Sequence, residues 1–228
     1  MASPLIFATL ARYTYAGEPA EALLVGAVAA GVMGIWSSTT ASGAGALQTQ
    51  RYYGVLELLV ASPTPFWAVV LPISVAISGI GVYSLLVGLA YVRVVYGVPI
   101  AIHDWPAFLV AVPATIGSIG ALGFVLASAL VRYRSAFMIG NVFEWPVWTI
   151  CGLLIPVATL PAWLRPASWA LAPTWGMRAL REATLGQPGA WAAIGVAFAL
   201  AAFYLLLGGL LLRVFVRLAR EHATLSLT

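Results

Sequence analysis

Two places in this chain set charge where chemistry could use it. Between Gln48 and Leu71 the sequence "QTQRYYGVLELLVASPTPFWAVVL" puts Arg51 and Glu57 six residues apart, with Gly54 between them and Pro63 and Pro65 just behind. An arginine donates and a carboxylate accepts, so this pair is suited to hydrogen bonding and ion pairing with a partner surface. The second place is Glu144, within the apolar run Ala136 to Leu160 and just before Trp145 and Pro146. By helical rise it lies about 12 Å into that run. A charge there costs a few kcal/mol or more, which makes it a functional candidate by default. Asn141, three residues earlier on the same helical face, is the candidate hydrogen-bond partner. Glu144 has two readings: a structural carboxylate, neutral or paired with Arg132, Arg134 or a neighbouring helix, or a group that lines a transport path and meets its substrate.

The elements that must position these residues are membrane helices. The chain of 228 residues is 62% hydrophobic and only 8% charged, against about 25% charged for a soluble domain. A membrane-spanning helix needs roughly 20 mainly apolar residues. Five runs qualify: Ala22 to Leu47, Phe66 to Tyr91, Pro106 to Val131, Ala136 to Leu160 and Ala190 to Leu212. The start, residues 1–16 with "PLIFATLARY", is too short to cross and reads as part of a span. It lacks the basic n-region and cleavage site of a signal peptide. The expected fold is therefore all-α and integral to the membrane, one domain with five full spans and a truncated first one.

Placed on a helical wheel, Tyr52, Leu56, Leu59 and Val60 share one face while Arg51, Gly54 and Glu57 lie opposite. Residues 51–60 thus form a short amphipathic helix, stopped by "SPTP" because the residue before a proline disfavours the helical region. Such a helix is either an interfacial turn anchored to lipid headgroups by Arg51 or a rigid docking element for a partner, with Gly54 allowing close approach.

All eleven basic residues are arginine. A chain without lysine has no P-loop lysine for ATP phosphates and no Schiff-base lysine. Its arginines are scattered singly, without the clustered stripe of a nucleic-acid groove. The lone Cys151 excludes an intrachain disulfide and a multi-cysteine metal site. His103 and Asp104 are too few ligands for a metal site. No cofactor or metal is expected in this chain.

Taking Arg51 as cytoplasmic, the alternation of spans puts Arg132, Arg134, Arg213, Arg217 and Arg220 on the same side, and Arg12, Arg93, Arg165, Arg178 and Arg181 on the other. This bias is weak. The outer side then holds residues 159–189, "TLPAWLRPASWALAPTWGMRALREATLGQPG", punctuated by Pro161, Pro166 and Pro173, with Trp163, Trp169 and Trp175 at six-residue intervals. Tryptophan favours membrane interfaces, so this segment is expected to form short broken helices lying at, or dipping into, the outer interface. Small-residue stripes, Gly26, Ala30 and Gly34 in one run and Ala114, Gly117 and Ala121 in another, allow close helix packing.

"RYYGVLELLVASPTPFWAVV" resembles the segment after the second span of ABC-2 type transporter permeases, in which Arg51, Gly54, Leu56, Glu57, Leu58, Leu59, Ser62 and Pro63 match and Val55 replaces the usual threonine. "CGLLIPVATLPAWLRPASWALAPTWGMRALRE" resembles that family's region after the fifth span, through Cys151 and Gly152, Pro156, Leu160 to Leu164 with Pro161 and Trp163, Pro173, and Arg178 or Arg181. The resemblance covers the chain from about Leu5 onward. Aligning on Arg51 makes Ala22 to Leu47 the second span, so the chain begins mid-helix, whether through a misplaced start, a truncation or a real five-and-a-half-span form.

The resemblance implies an exporter of the plasma membrane, bacterial by this likeness, in which two permease copies, identical or paralogous, form a central pathway above a pair of cytoplasmic ATPase subunits that hold ATP and magnesium. It implies that residues 51–60 are the coupling helix, with Glu57 first and Arg51 second in contact with the ATPase, Gly54 and Pro63 shaping the element, and residues 159–189 re-entrant. The cargo is expected to be hydrophobic or amphipathic: drug, lipid, peptide or glycan. The alternative is a secondary transporter or channel using Glu144, which expects more intramembrane charge or an internal repeat. A membrane enzyme would need clustered carboxylates, a His pair or a Ser-Lys pair, none of which the sequence offers.

Overall fold

In hydrocarbon each backbone N–H and C=O must find its partner inside the protein, and a helix meets that demand within its own segment. A computed structural model describes residues 6, 9, 20–52, 72, 76, 79, 81–130, 136–153 and 157–222. Among these there are α-helices and one 3₁₀ turn but no strand: α1 (Ala20–Tyr52), α2 (Val82–Tyr96), α3 (Trp105–Leu130), α4 (Ala136–Ile150), the turn Val157–Thr159, α5 (Arg165–Ala170), α6 (Ala172–Leu185) and α7 (Ala190–His222). Among the described residues the architecture is all-helical and compatible with the membrane protein that the composition points to. Three described helices are long and apolar enough to cross a bilayer, over Ala20–Thr39, Trp105–Leu126 and Ala190–Leu211. Of the run expected at Phe66 to Tyr91, residues 72, 76, 79 and 81–91 are described; α2 begins at Val82 and continues past the run to Tyr96.

The helix boundaries differ from the apolar runs in instructive ways. α4 stops at Ile150, ten residues before the end of the run expected to reach Leu160. Gly152 adopts a left-handed φ of 78°. The Gly152 N–H then bonds the Thr149 carbonyl at 3.3 Å and the Leu153 N–H bonds the Trp148 carbonyl at 3.0 Å. This is a Schellman closure, which glycine permits because it lacks a Cβ. Uniform apolarity conceals such a break. Conversely, α1 and α7 each extend to 33 residues, about 50 Å by helical rise, so both run past their apolar windows, α1 to Arg51 and α7 into its arginine-rich end.

α1 pairs with α2 and α4, while α7 packs along α3, and α6 sits between α3 and α7. The core at these seams contains Trp36, Ile35, Ile119, Phe124 and Leu180, all essentially inaccessible. Of the small-residue stripes, Gly26, Ala30 and Gly34 are buried on α1, as are Ala114 and Ala121 on α3. Hydroxyls within the helices bond their own preceding carbonyls: Thr39 to Ile35 at 2.8 Å, Thr115 to Ala111 at 2.7 Å and Thr184 to Leu180 at 2.7 Å. That lets polar residues occupy an apolar interior without an orphaned donor. The outward face of α7, with Phe203, Leu206 and Leu210 exposed, meets no penalty in lipid, whose tails are as apolar as leucine.

Candidate functional site

The first component is a polar contact between α1 and α4. Glu144 lies on α4 with its carboxyl turned toward α1, where the Ser37 hydroxyl donates to Oε1. Val142, Trp145 and Pro146 are exposed while Val147 and Trp148 are buried, so Glu144, half-buried, occupies the inward side of α4. Its described partner is therefore a serine on another helix. Asn141 belongs to α4, but its side chain is outside the described residues, as are Arg132 and Arg134. Trp148 follows Glu144 by one helical turn, and the Trp145 and Trp148 rings lie 5.2 Å apart.

The second component is the segment between α4 and α7, where four backbone breaks must be satisfied. Arg165 folds the connecting loop, donating from Nε to the Leu160 carbonyl at 3.1 Å and from Nη2 to the Ala158 carbonyl at 2.7 Å. The Ser168 hydroxyl, on α5, caps the C-terminal end of α4 through the Ile150 carbonyl at 2.6 Å. The Tyr204 hydroxyl, on α7, donates to the Ala170 carbonyl at the end of α5. Tyr204 is fourteen residues into α7, about 21 Å by helical rise. The α5–α6 corner thus sits deep beside the spans.

From that corner α6 climbs back. Gly176 lies against Thr115, such that a Cβ there would stand 2.9 Å from the Thr115 Cα, and Thr115 is ten residues from the start of α3, about 15 Å by helical rise. The far end of α6 meets the loop before α3, where the Asp104 N–H donates to the Ala183 carbonyl at 3.0 Å and His103 Nδ1 lies 2.9 Å from the Thr184 carbonyl. Asp104 also caps α3, accepting from the Ala107 N–H at 3.0 Å. α6 therefore runs from mid-depth to one end of the bundle, with Pro173, Met177, Leu180 and Ala183 buried.

Charges on α6 are arranged at its upper turns. Arg178 Nε and Glu182 Oε1 are 2.7 Å apart, four residues along the helix, and the Arg178 guanidinium lies 5.3 Å from the Trp175 ring centroid. Glu182 is 8% exposed and reaches Gly189 at the start of α7, where a helix N-terminus favours negative charge. Arg181 is exposed, as are Pro161 and Trp163, whereas Pro173 is fully buried.

Sequence reasoning placed Glu144 and the proline-tryptophan segment. It missed Ser37, Ser168, Tyr204 and Glu182. Only Glu182 carried a readable signal, its spacing of four from Arg178. The third expected element, the coupling helix at residues 51–60 with Pro63 behind it, is described only at its start: Arg51 is on the last turn of α1. Gly54, Glu57 and Pro63 lie outside the described residues, and so does Pro156. Among the described residues no group of three His, Cys, Asp or Glu side chains could hold a metal.

A family model described as ABC-2 type transporter matches residues 1–185, from the start of the chain to the end of α6. No curated protein and no solved structure matches the chain.

Proposed function

The chain belongs to the ABC-2 type transporter family, and from that premise we propose that it is the permease subunit of an ATP-driven exporter. It works as one of two permease copies in the plasma membrane, beside a separate cytoplasmic ATPase that holds ATP and magnesium. Hydrolysis belongs to that partner, because a chain without lysine carries no P-loop. The cargo is hydrophobic or amphipathic and leaves the cell.

The observation that carries this reading is the continuity of α1. A single helix runs from Ala20 to Tyr52, so Arg51 at its lower end and Ser37, about 21 Å higher by helical rise, belong to one rigid rod. Residues 51–60 form the coupling element at the foot of that rod. Closure of the ATPase against Glu57 and Arg51 shifts the rod, with Gly54 and Pro63 fixing the angle at which the element leaves the span. Displacement of the rod moves Ser37 relative to Glu144 and so alters the α1–α4 seam. Such a shift needs differential contact energy between two states, and the ATPase supplies it. The re-entrant α5–α6 pair, pinned to α4 and α7 by Ser168 and Tyr204, closes the outer end.

The test uses the permease co-expressed with its ATPase and reconstituted in vesicles. Glu57→Ala should abolish ATP-dependent transport and transport-linked ATPase stimulation, while the purified complex stays monodisperse. If the variant transports at the wild-type rate, the coupling role is wrong. If the wild-type protein transports with no ATPase present, the exporter reading gives way to a secondary transporter using Glu144.

A further inference from the structure

We infer that α5 and the turns before it, from Pro161 to Ala170, line a water-filled vestibule. It opens at the α6–α7 end of the bundle and reaches about halfway across the membrane. The inference rests on the helices crossing a bilayer, not on the permease reading. Two contacts set the depth. The Tyr204 hydroxyl donates to the Ala170 carbonyl, and Tyr204 stands fourteen residues into the apolar window Ala190–Leu211 of α7, about 21 Å by helical rise. From the opposite end, where α3 stops at Leu130, α4 runs for only 15 residues, about 22 Å, before the Ser168 hydroxyl caps its Ile150 carbonyl. Against a hydrocarbon core of about 30 Å, both contacts place the α5–α6 corner well inside. α5 itself is six residues long, about 9 Å. Even an α5 aimed straight at the α6–α7 end would leave Arg165 on the order of 10 Å within the bundle.

Lipid does not suit this face. Trp163 and Trp169 are 77% and 56% exposed, and Pro161, Ala162, Pro166 and Ala167 are exposed beside them. The backbone leading into α5 is a succession of turns, with the Leu160 N–H on the Val157 carbonyl at 3.2 Å and the Leu164 N–H on the Pro161 carbonyl at 2.9 Å. Irregular backbone at membrane depth occurs only where protein buries it or water reaches it. Arg165 belongs to the same face: it is half-buried, and its bonds to the Leu160 and Ala158 carbonyls hold those turns at its own level. A guanidinium stays protonated in proteins, and a charged side chain inside a membrane faces the bundle interior or a water-filled cavity. A second copy is the poorer cover. Two copies of a chain meet across a two-fold axis, patch to identical patch, and Arg165 is the one ionisable residue from Val157 to Leu171. Such a contact would bring arginine toward arginine and take both from water. Water therefore stands over α5, and the barrier formed by the α5–α6 pair lies in the middle of the bundle, not at its rim.

The experiment reads the vestibule by thiol accessibility. Cys151 is the one cysteine and is 1% exposed, so the wild-type protein is the blank. Ala162→Cys and Ala167→Cys probe the exposed face, and Ala199→Cys and Ala202→Cys probe the outward side of α7 within five residues of Tyr204. Size-exclusion chromatography checks the fold of each variant. A charged, membrane-impermeant methanethiosulfonate is added to the full-length protein in sealed right-side-out and inside-out vesicles of the expressing cells. The reagent attacks through the thiolate, and each unit by which lipid raises a thiol pKa lowers the thiolate fraction about tenfold. Ala162→Cys and Ala167→Cys should therefore react at least about tenfold faster than the α7 pair, and from one side of the membrane only. Rates no faster than those of the α7 pair would overturn the inference, the face then meeting lipid or protein. Oxidation to a disulfide-linked dimer through Ala167→Cys would overturn it in favour of a second copy. Equal rates from both sides would do so as well, because the vestibule is closed at α5. No ATPase or cargo enters the assay, so a complex that transports nothing leaves this inference standing, and unreactive cysteines leave the permease reading standing.

Discussion

The close approach of α6 to α3 at Gly176 makes a prediction whose sign can be worked out atom by atom. At Gly176 an added Cβ would stand 2.8 Å from the Thr115 Oγ1, 2.9 Å from its Cα and 3.1 Å from its Cβ. Carbon atoms rest at about 3.5 to 4.0 Å, so α6 and α3 would have to separate by several tenths of an ångström. A rotamer change cannot relieve the contact, because one of the three atoms is backbone. Nor is α6 free to slide, since the Asp104 N–H holds the Ala183 carbonyl at its upper end. Overpacking of this kind costs about 1 to 3 kcal/mol. Gly195 on α7 is the matched control, with no heavy atom within 4 Å of the Cβ position. There alanine should gain up to about 1 kcal/mol through helix propensity. Thermal unfolding of the purified protein in detergent, followed by size-exclusion chromatography, reads both. Gly176→Ala should lower the midpoint and Gly195→Ala should hold or raise it. Thr115→Gly in the Gly176→Ala background, which removes two of the three clashing atoms, should recover part of the loss. A Gly176→Ala protein as stable as wild type would refute the stated packing of α6 on α3.

Two further substitutions test the backbone breaks. Tyr204→Phe removes the donor to the Ala170 carbonyl and should cost about 0.5 to 2 kcal/mol, the range for a hydrogen bond within a membrane bundle, seen in the same unfolding assay. Gly152→Ala forces a side chain into the left-handed φ of 78° that closes α4. It should destabilise by about 1 to 2 kcal/mol, whereas Gly209→Ala on α7, with open space at its Cβ position, should not.

The sequence made some of this fold legible and concealed other parts for physical reasons. Apolar runs of about 20 residues marked α1, α3 and α7 because hydrophobic length is what a bilayer reads. The same signal overran α4, since Gly152 and its closure alter hydrogen bonding without altering hydropathy. The spaced tryptophans and prolines between Thr159 and Gly189 marked a broken segment, but not that α6 is buried between α3 and α7. That burial depends on small residues meeting across helices, Gly176 against Thr115, which is a pairwise property. Glu144 announced itself by charge alone. Its partner Ser37 did not, because a serine in a span ordinarily bonds its own helix, as Ser38 does to Ile35 at 2.9 Å, and nothing in one sequence says which of two neighbours turns outward.

The buried position of α6 has a consequence for how the protein is made. α6 takes one wall from α3, synthesised earlier, and the other from α7, synthesised later. Until Tyr204 and Gly189 have emerged, the Ala170 carbonyl and the Glu182 carboxylate lack the contacts they make in the finished bundle. With Arg178, Arg181 and Glu182 within five residues, α6 is too polar to enter lipid by itself. Its burial is therefore complete only once the last helix has packed against it, and this end of the bundle closes out of order with the sequence.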